Sequence, residues 1–182
     1  KALAKKSAQL GHFRVSAEIT PHHISLAGDK APFIRALVNP PLRPQSDVDA
    51  LIAALKDGTA DVISTDHAPH TLADKAAGSP GFTGLETAFA VCNTVLVKGG
   101  HISAQKLSAL MSRNPAQLLG LPQRGLIKEG FAADLVLLNP EKEFTVDSRT
   151  FFSKGKASPQ NGRRLCGTVE RVWYKGACVF KK

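Results

Sequence analysis

Asp61-Val62-Ile63-Ser64-Thr65-Asp66-His67-Ala68-Pro69-His70 is the stretch on which the fold turns. It opens with a short apolar run, too brief for a helix and suited to a strand buried on both faces. It ends in an acid and two histidines around a proline. In α/β folds the strand ends and their loops face one shared crevice, and active sites sit there. An aspartate at such a point can ligate a hard or borderline cation and accept a proton from metal-bound water. The proline stiffens the turn and directs His70 away from the strand axis. The plainer alternative is an aspartate that caps the next segment beside two surface histidines. So dense a cluster at the end of a buried strand favours function.

Outward from this strand, the chain alternates strands with helices. On the N-terminal side, residues 1–11 have the pattern of a helix ending at Gly11. Phe13, Val15, Ala17 and Ile19 then alternate with polar residues, as in a strand, up to Thr20-Pro21. Ile34 to Val38 is a short strand candidate closed by Asn39-Pro40-Pro41. Ser46 and Asp49 resemble a capping box, and Val48, Leu51, Ile52 and Leu55 follow at helical spacing until Gly58. On the C-terminal side, Thr71 to Gly84 reads as a loop and Leu85 to Lys98 as a helix. Two more helices are expected at Ala104 to Ser112 and Pro115 to Leu119, the second with proline at its first position. Beyond Gly120 the character turns to strands: Asp134 to Leu138, Thr168 to Tyr174, and Ala177 to Phe180, with Lys175-Gly176 as a hairpin turn. A boundary is therefore expected near residue 121, between an α/β part (1–120) and a β-rich segment (121–182). The α/β part offers about three strand–helix units, roughly half of a closed (β/α)₈ barrel.

Two other strand ends carry polar clusters. Glu18-Ile19-Thr20-Pro21-His22-His23 could hold a metal or an anion, but taken alone it fits better as two histidines satisfying backbone groups in an X-Pro turn. Asn39-Pro40-Pro41-Leu42-Arg43 offers an amide and a guanidinium to a carboxylate, or is simply a rigid loop. His12 and His101 lie beside glycines in turns and receive no role. No G-x-S-x-G elbow, Walker loop, G-x-G-x-x-G or H-E-x-x-H occurs.

Composition narrows the class. The 182 residues are 43% hydrophobic and 21% charged, as in a soluble globular protein with a sizeable core. No apolar run approaches the length of a membrane span. Lys1 to Lys6 are followed by no apolar signal core, and they look like the middle of a helix, so the chain is expected to begin partway through a fold. Cys92, Cys166 and Cys178 are odd in number and widely spaced, which suits reduced thiols in a cytoplasmic protein better than disulfides or a zinc knuckle. The net charge is +9, with ten basic residues against three acidic ones between Lys142 and Lys182. Aromatic residues are only 6% and no nucleic-acid signature interleaves them, so the basic segment reads as a solvated surface or a contact for an acidic partner.

Ser64-Thr65-Asp66-His67-Ala68-Pro69-His70, followed by Pro80-Gly81-Phe82-Thr83-Gly84-Leu85-Glu86-Thr87, resembles the dihydroorotase family of cyclic amidohydrolases. Four further segments agree in order. Glu18 to His23 looks like the segment after a metal-binding strand, and Val38 to Arg43 matches the N-P-P-L-R loop. Asn114-Pro115 to Gly120, then Gly125 to Val136 ending Ala-Asp-Leu-Val, resembles the amidohydrolase tail. Phe152-Ser153-Lys154 through Gly167-Thr168-Val169 matches the closing β segment.

The resemblance implies the C-terminal part of a (β/α)₈ barrel followed by a β-rich piece of a small composite domain. It implies zinc-dependent, reversible conversion of dihydroorotate to N-carbamoyl-aspartate in pyrimidine biosynthesis. Asp66 would ligate zinc and shuttle the proton to the ring nitrogen. Asn39 and His70 would hold the substrate carboxylate, while Pro80 and Gly81 would meet the ring through their main chain. The other metal ligands of that family belong to motifs of its N-terminal half, which do not occur here. The chain is thus expected to be a C-terminal half, inactive alone, exposing an open barrel edge and associating with the N-terminal half or with further copies. A different class remains open: a non-catalytic scaffold that binds a partner such as aspartate carbamoyltransferase. So does a related amidohydrolase acting on another cyclic ureide. Neither nucleic acid nor a membrane is expected as a partner.

Overall fold

β1 (Glu18–Ile19) and β2 (Val62–Ile63) lie side by side and parallel, with Glu18 opposite Val62 and Ile19 opposite Ile63. These details come from a computed structural model of the chain, which describes residues 15–30 and 37–182. A parallel pair needs a long crossover, and α1 (Gln45–Asp57) supplies it. Val48, Ile52 and Leu55 recur at helical spacing and are the residues α1 buries. Gly58, at φ 82°, closes the helix in the left-handed conformation that only glycine adopts without steric cost.

Several local expectations change. The capping box at Ser46 and Asp49 does not form: the N-cap of α1 is Pro44, two residues earlier, and Asp49 accepts from the Gln45 side chain at 2.9 Å. The segment read as a loop after Thr71 contains a short helix, α2 (Leu72–Ala76), with a real capping box between Thr71 and Asp74. The alternation that starts at Phe13 becomes a strand only at Glu18–Ile19. Phe13, the helix of residues 1–11, and residues 34–36 of the next expected strand lie outside the described residues. Leu37 to Pro40 form tight turns rather than a strand, and the Asn39–Pro40 bond is cis.

The helix expected from Leu85 to Lys98 is present as a 3₁₀ turn (Leu85–Thr87), α3 (Ala88–Cys92) and π turns (Asn93–Lys98). The two helices expected after Ala104 are one rod instead, made of α4 (Ala104–Ser108), π turns (Ala109–Arg113) and α5 (Asn114–Leu118). Pro115 has no N–H to donate. The wide turns ahead of it end with Asn114 N on Ala109 O and carry the rod past that gap.

The C-terminal segment is an antiparallel sheet in the order β3 (Leu135–Thr145), β4 (Arg164–Tyr174), β5 (Ala177–Lys181). Lys175 (φ 50°) and Gly176 (φ 83°) form the expected tight turn between β4 and β5. β3 and β4 exceed their expected lengths. A register shift between Asn139 and Glu143 takes Pro140 off the ladder and lets the pairing resume beyond it.

The principal core joins α1, the parallel pair and the helices after residue 88 through Ile19, Ile52, Leu55, Ile63, Leu96 and Leu107. A second cluster, with Val91, Phe151 and Leu165, seats the sheet on α3. Asn93 reinforces that seat: buried on the helix, its side-chain amide donates to Cys166 O (2.8 Å) and Pro140 O (2.9 Å). The third cluster is small, Val38, Leu42 and Phe82, and it lies beneath the loops at the C-terminal ends of β1 and β2.

Candidate active site

Three loops meet where β1 and β2 end. After β1 the chain turns through Thr20-Pro21-His22-His23. Thr20 Oγ1 lies 2.7 Å from His23 Nδ1, and His23 Nε2 lies 3.0 Å from Pro40 O. A carbonyl can only accept, so Nε2 carries the proton and Nδ1 accepts from the threonine hydroxyl. His23 therefore does what a turn histidine was expected to do: it satisfies a backbone group, and in doing so it anchors the Asn39-Pro40 loop.

His22 behaves differently. It is buried, its ring meets Phe82 edge to face (5.7 Å between centroids, 82°), and its Nε2 has no hydrogen-bond partner among the described residues. Burial, with His23 adding to it, pushes its pKa down to about 4, so the ring is neutral at physiological pH. That nitrogen stands 3.7 Å from Asp66 Oδ2, too far for a direct hydrogen bond. The turn interpretation thus accounts for His23 and leaves the Nε2 of His22 unexplained. The only signal in the sequence was the doubling itself: one imidazole suffices to lock the turn.

Asp66 follows β2 with φ 48°, an unusual backbone state for a residue with a side chain. It presents a carboxylate that is 42% exposed. Strained backbone of this kind persists only where the surroundings over-determine it, and such positions cluster at functional sites. His67 does not join Asp66. Its Nδ1 accepts from Gly84 N and Leu85 N, both at 3.2 Å, so it caps the 3₁₀ turn of Leu85. Ala68 N donates to Phe82 O at 3.0 Å, which lays the Pro80–Phe82 segment alongside the Asp66–His70 turn.

Gly81 sits in that contact at φ 123°. A Cβ there would fall 2.7 Å from Ala68 Cβ and 3.2 Å from the His70 ring, so Gly81 and His70 are immediate neighbours. Gly155 closes the other side of the turn, and a Cβ on it would meet His70 O at 2.8 Å and Pro69 Cβ at 2.8 Å. No local pattern announces that wall, which comes from a segment far along the chain. Thr83 Oγ1 donates to Gly155 O (2.7 Å) and Thr83 N to Ala157 O (2.9 Å). Glu86 accepts from Phe152 N (2.9 Å) and Ser153 N (3.0 Å), which explains why an acid stands in the Gly-Leu-Glu-Thr string.

Of the expected site residues, Asp66, His70 and Gly81 therefore share one cluster. Pro80 is exposed at its rim, and Asn39 is exposed between Leu37 and Pro40. The backbone of both those neighbours is fastened to the cluster: Leu37 O accepts from Gly81 N at 2.7 Å and Pro40 O from His23.

As a metal centre the cluster is incomplete. Asp66 offers an oxygen donor, and the unpartnered His22 nitrogen faces it, both of chemical types that zinc accepts. Among the described residues, however, no group of three or more histidines, cysteines or acids gathers tightly enough to hold an ion. A catalytic zinc needs about three protein ligands, so these residues supply part of a coordination shell and do not close one.

Known proteins resemble the chain over nearly its whole length. The chain is 46% identical to a dihydroorotase of Clostridium botulinum (strain Eklund 17B / Type B) over 168 residues, covering 92% of this chain and 41% of the relative. It is 46% identical to a dihydroorotase of Caldanaerobacter subterraneus subsp. tengcongensis over 175 residues, 92% of this chain and 40% of that one. The chain therefore spans about two fifths of the length of these curated relatives. Among solved structures it superimposes on an L-hydantoinase (dihydropyrimidinase) from Arthrobacter aurescens with a TM-score of 0.90 at 30% identity, covering 100% of this chain and 42% of that one. A dihydropyrimidinase from Brevibacillus agri NCHU1002 gives a TM-score of 0.86 at 26% identity, over 98% and 41% of the two chains. Residues 8–180 match the amidohydrolase family, and the chain belongs to it.

Proposed function

We propose that this chain is the C-terminal half of a dihydroorotase, carrying the acid that moves the proton when a cyclic amide ring opens to N-carbamoyl-aspartate. The observation that carries this reading is Asp66, set in strained backbone at the end of β2 beside His22, and heading the turn whose His70 packs against Gly81. The likeness to dihydroorotases over 92% of the chain supports the choice of substrate class.

Ring opening needs water at the ring carbonyl and a proton on the departing nitrogen. Asp66 is exposed enough to reach substrate and would hold that proton on its carboxylate between the two steps. Asn39 and His70 would hold the substrate carboxylate by hydrogen bonds, and Pro80 and Gly81 would present main-chain groups to the ring. Zinc, when bound, would activate the water and polarise the carbonyl, with Asp66 as a ligand from this half. The remaining ligands would then belong to an N-terminal half that completes the (β/α)₈ barrel.

On this reading residues 1–120 are the barrel half and residues 121–182 a β-rich piece of a small composite domain. The complete enzyme would be cytoplasmic and homo-oligomeric. A scaffold that docks aspartate carbamoyltransferase without catalysis would have no need of an acid held in strained backbone.

The test is ring opening of dihydroorotate by the full-length protein that contains this segment, with Asp66→Asn as the control and allantoin and hydantoin as alternative substrates. Dihydroorotate turnover that the substitution abolishes is expected. No turnover of dihydroorotate by the zinc-loaded parent protein would overturn the proposal and leave the scaffold standing, and preference for another ureide would replace the substrate.

A further inference from the structure

One charged side chain beside the candidate site has none of the roles described so far. Lys75 belongs to α2, and its ammonium is half-buried in a cage of backbone carbonyls. Nζ donates to Leu37 O at 2.9 Å, to Gly81 O at 2.8 Å, and to Ser79 O. An ammonium has three protons, and all three are used. It also stands 5.2 Å from the centroid of Phe82, the buried ring against which His22 packs.

The three acceptors come from two of the loops that build the site. Ser79 and Gly81 bracket Pro80, and Leu37 lies just before Asn39 on the other loop. The same Leu37 carbonyl accepts from Gly81 N at 2.7 Å, so the lysine charge doubles a backbone link. A lone surface lysine would stay hydrated; here its hydration is replaced by carbonyls, and burial lowers its pKa from the ordinary value. The capping box of Thr71 and Asp74 holds α2 in place and so aims the lysine into the cage.

We propose that Lys75 is the positioning residue of this site: its ammonium pins the Ser79–Gly81 turn to Leu37 and thereby sets where the Pro80–Gly81 main chain meets a ring substrate. The proposal rests on the reading that this turn contacts the ring. It assigns Lys75 no contact with substrate. Arginine is no equivalent, because its planar fork spreads its donors and cannot converge three of them on one point.

The experiment uses the full-length protein. Lys75→Met keeps the apolar stem over Phe82 and removes the donors, and Lys106→Met, which frees only Lys56 O on a distant surface, is the control. In Lys75→Met, KM for dihydroorotate should rise by about tenfold with a smaller change in kcat, and exchange of the Gly81 amide should quicken by about tenfold. Zinc content and the Lys106→Met enzyme should match the parent. A merely structural role would reduce the amount of folded enzyme without moving KM. If Lys75→Met does not fold, Lys75→Arg is the second variant, with a smaller rise in KM at an unchanged melting temperature. Parental KM in the folded variant, or parental Gly81 exchange, overturns the proposal. A parent enzyme that does not open dihydroorotate instead overturns the function reading, and Gly81 exchange then decides the clamp.

Discussion

The two ends of this chain are stabilised in opposite ways. β3 and β4 run for 11 residues each and are joined by a regular backbone ladder, with most of β3 exposed. β1 and β2 pair over only two residues each, and beyond them isolated backbone bonds are joined by side chains reaching across to backbone: His23 to Pro40, Thr83 to Gly155, Glu86 to Phe152 and Ser153. A ladder tolerates many side chains because the bonds belong to the main chain. A loop cluster has no such repeat, and each bond depends on one residue type in one place. The difference explains why the most constrained part of the molecule is the least regular.

Substitutions at the strand ends should therefore have larger effects than substitutions in the sheet. The largest belongs to Asp66→Asn in the full-length protein, with kcat for dihydroorotate expected to fall on the order of 10³-fold while the melting temperature hardly moves. A comparable loss of stability would mean that the carboxylate is structural, and the contrast between the two regions would blur.

Gly155→Ala comes next. The added methyl meets His70 O, His70 N and Pro69 Cβ inside 3 Å, an overpacking expected to cost roughly 1–3 kcal/mol. Denaturant unfolding would read the cost, and because the pressed atoms belong to the His70 turn, substrate affinity should weaken with it. Unchanged unfolding would show that the 155 wall yields easily.

The legibility of the sequence followed the same divide. α1 and the hairpin at Lys175-Gly176 were readable because helical spacing and a glycine turn are local signals. Asp66, His70 and Gly81 were reached partly through their chemistry and partly through family likeness. The α2 helix was missed although Thr71 and Asp74 spell a capping box, since five residues carry too little periodicity to stand out. The apparent box at Ser46 failed because Pro44 already starts the helix. Lys75, Glu86 and Gly155 were invisible as site components because their partners lie on other segments, and spacing along the chain does not report such meetings.

Asn93→Ala probes the seam between the two regions. The substitution removes the amide donor from Cys166 O and Pro140 O, which keep the Thr94 hydroxyl and the Cys166 thiol, for a loss of about 1–2 kcal/mol. Equilibrium unfolding measures it, and a loss near zero would mean that the sheet rests on α3 through apolar contact alone.

The smallest effect is expected beyond β3, at Asp147. The Arg149 guanidinium, with the Arg149 backbone N–H, holds its carboxyl down to about 2. A depressed acid contributes stability that is fully present above its ordinary value of 3.8 and is lost as pH falls through about 2. Asp147→Asn should therefore lower stability slightly at neutral pH and flatten its fall across that acid range, where parent and variant converge, as denaturant midpoints at a series of pH values would reveal. A large change at neutral pH would place the sheet side among the sensitive parts after all.

The bond from Thr83 to Gly155 also has a consequence in time. It joins residues 72 positions apart, and closing so long a loop costs entropy that local contacts do not. As the chain leaves the ribosome, β1, α1 and β2 can pair before the residues that complete the His70 turn have been made. The corner around His70 is therefore among the last places to take shape, and a nascent chain stalled before residue 150 would lack one of its walls.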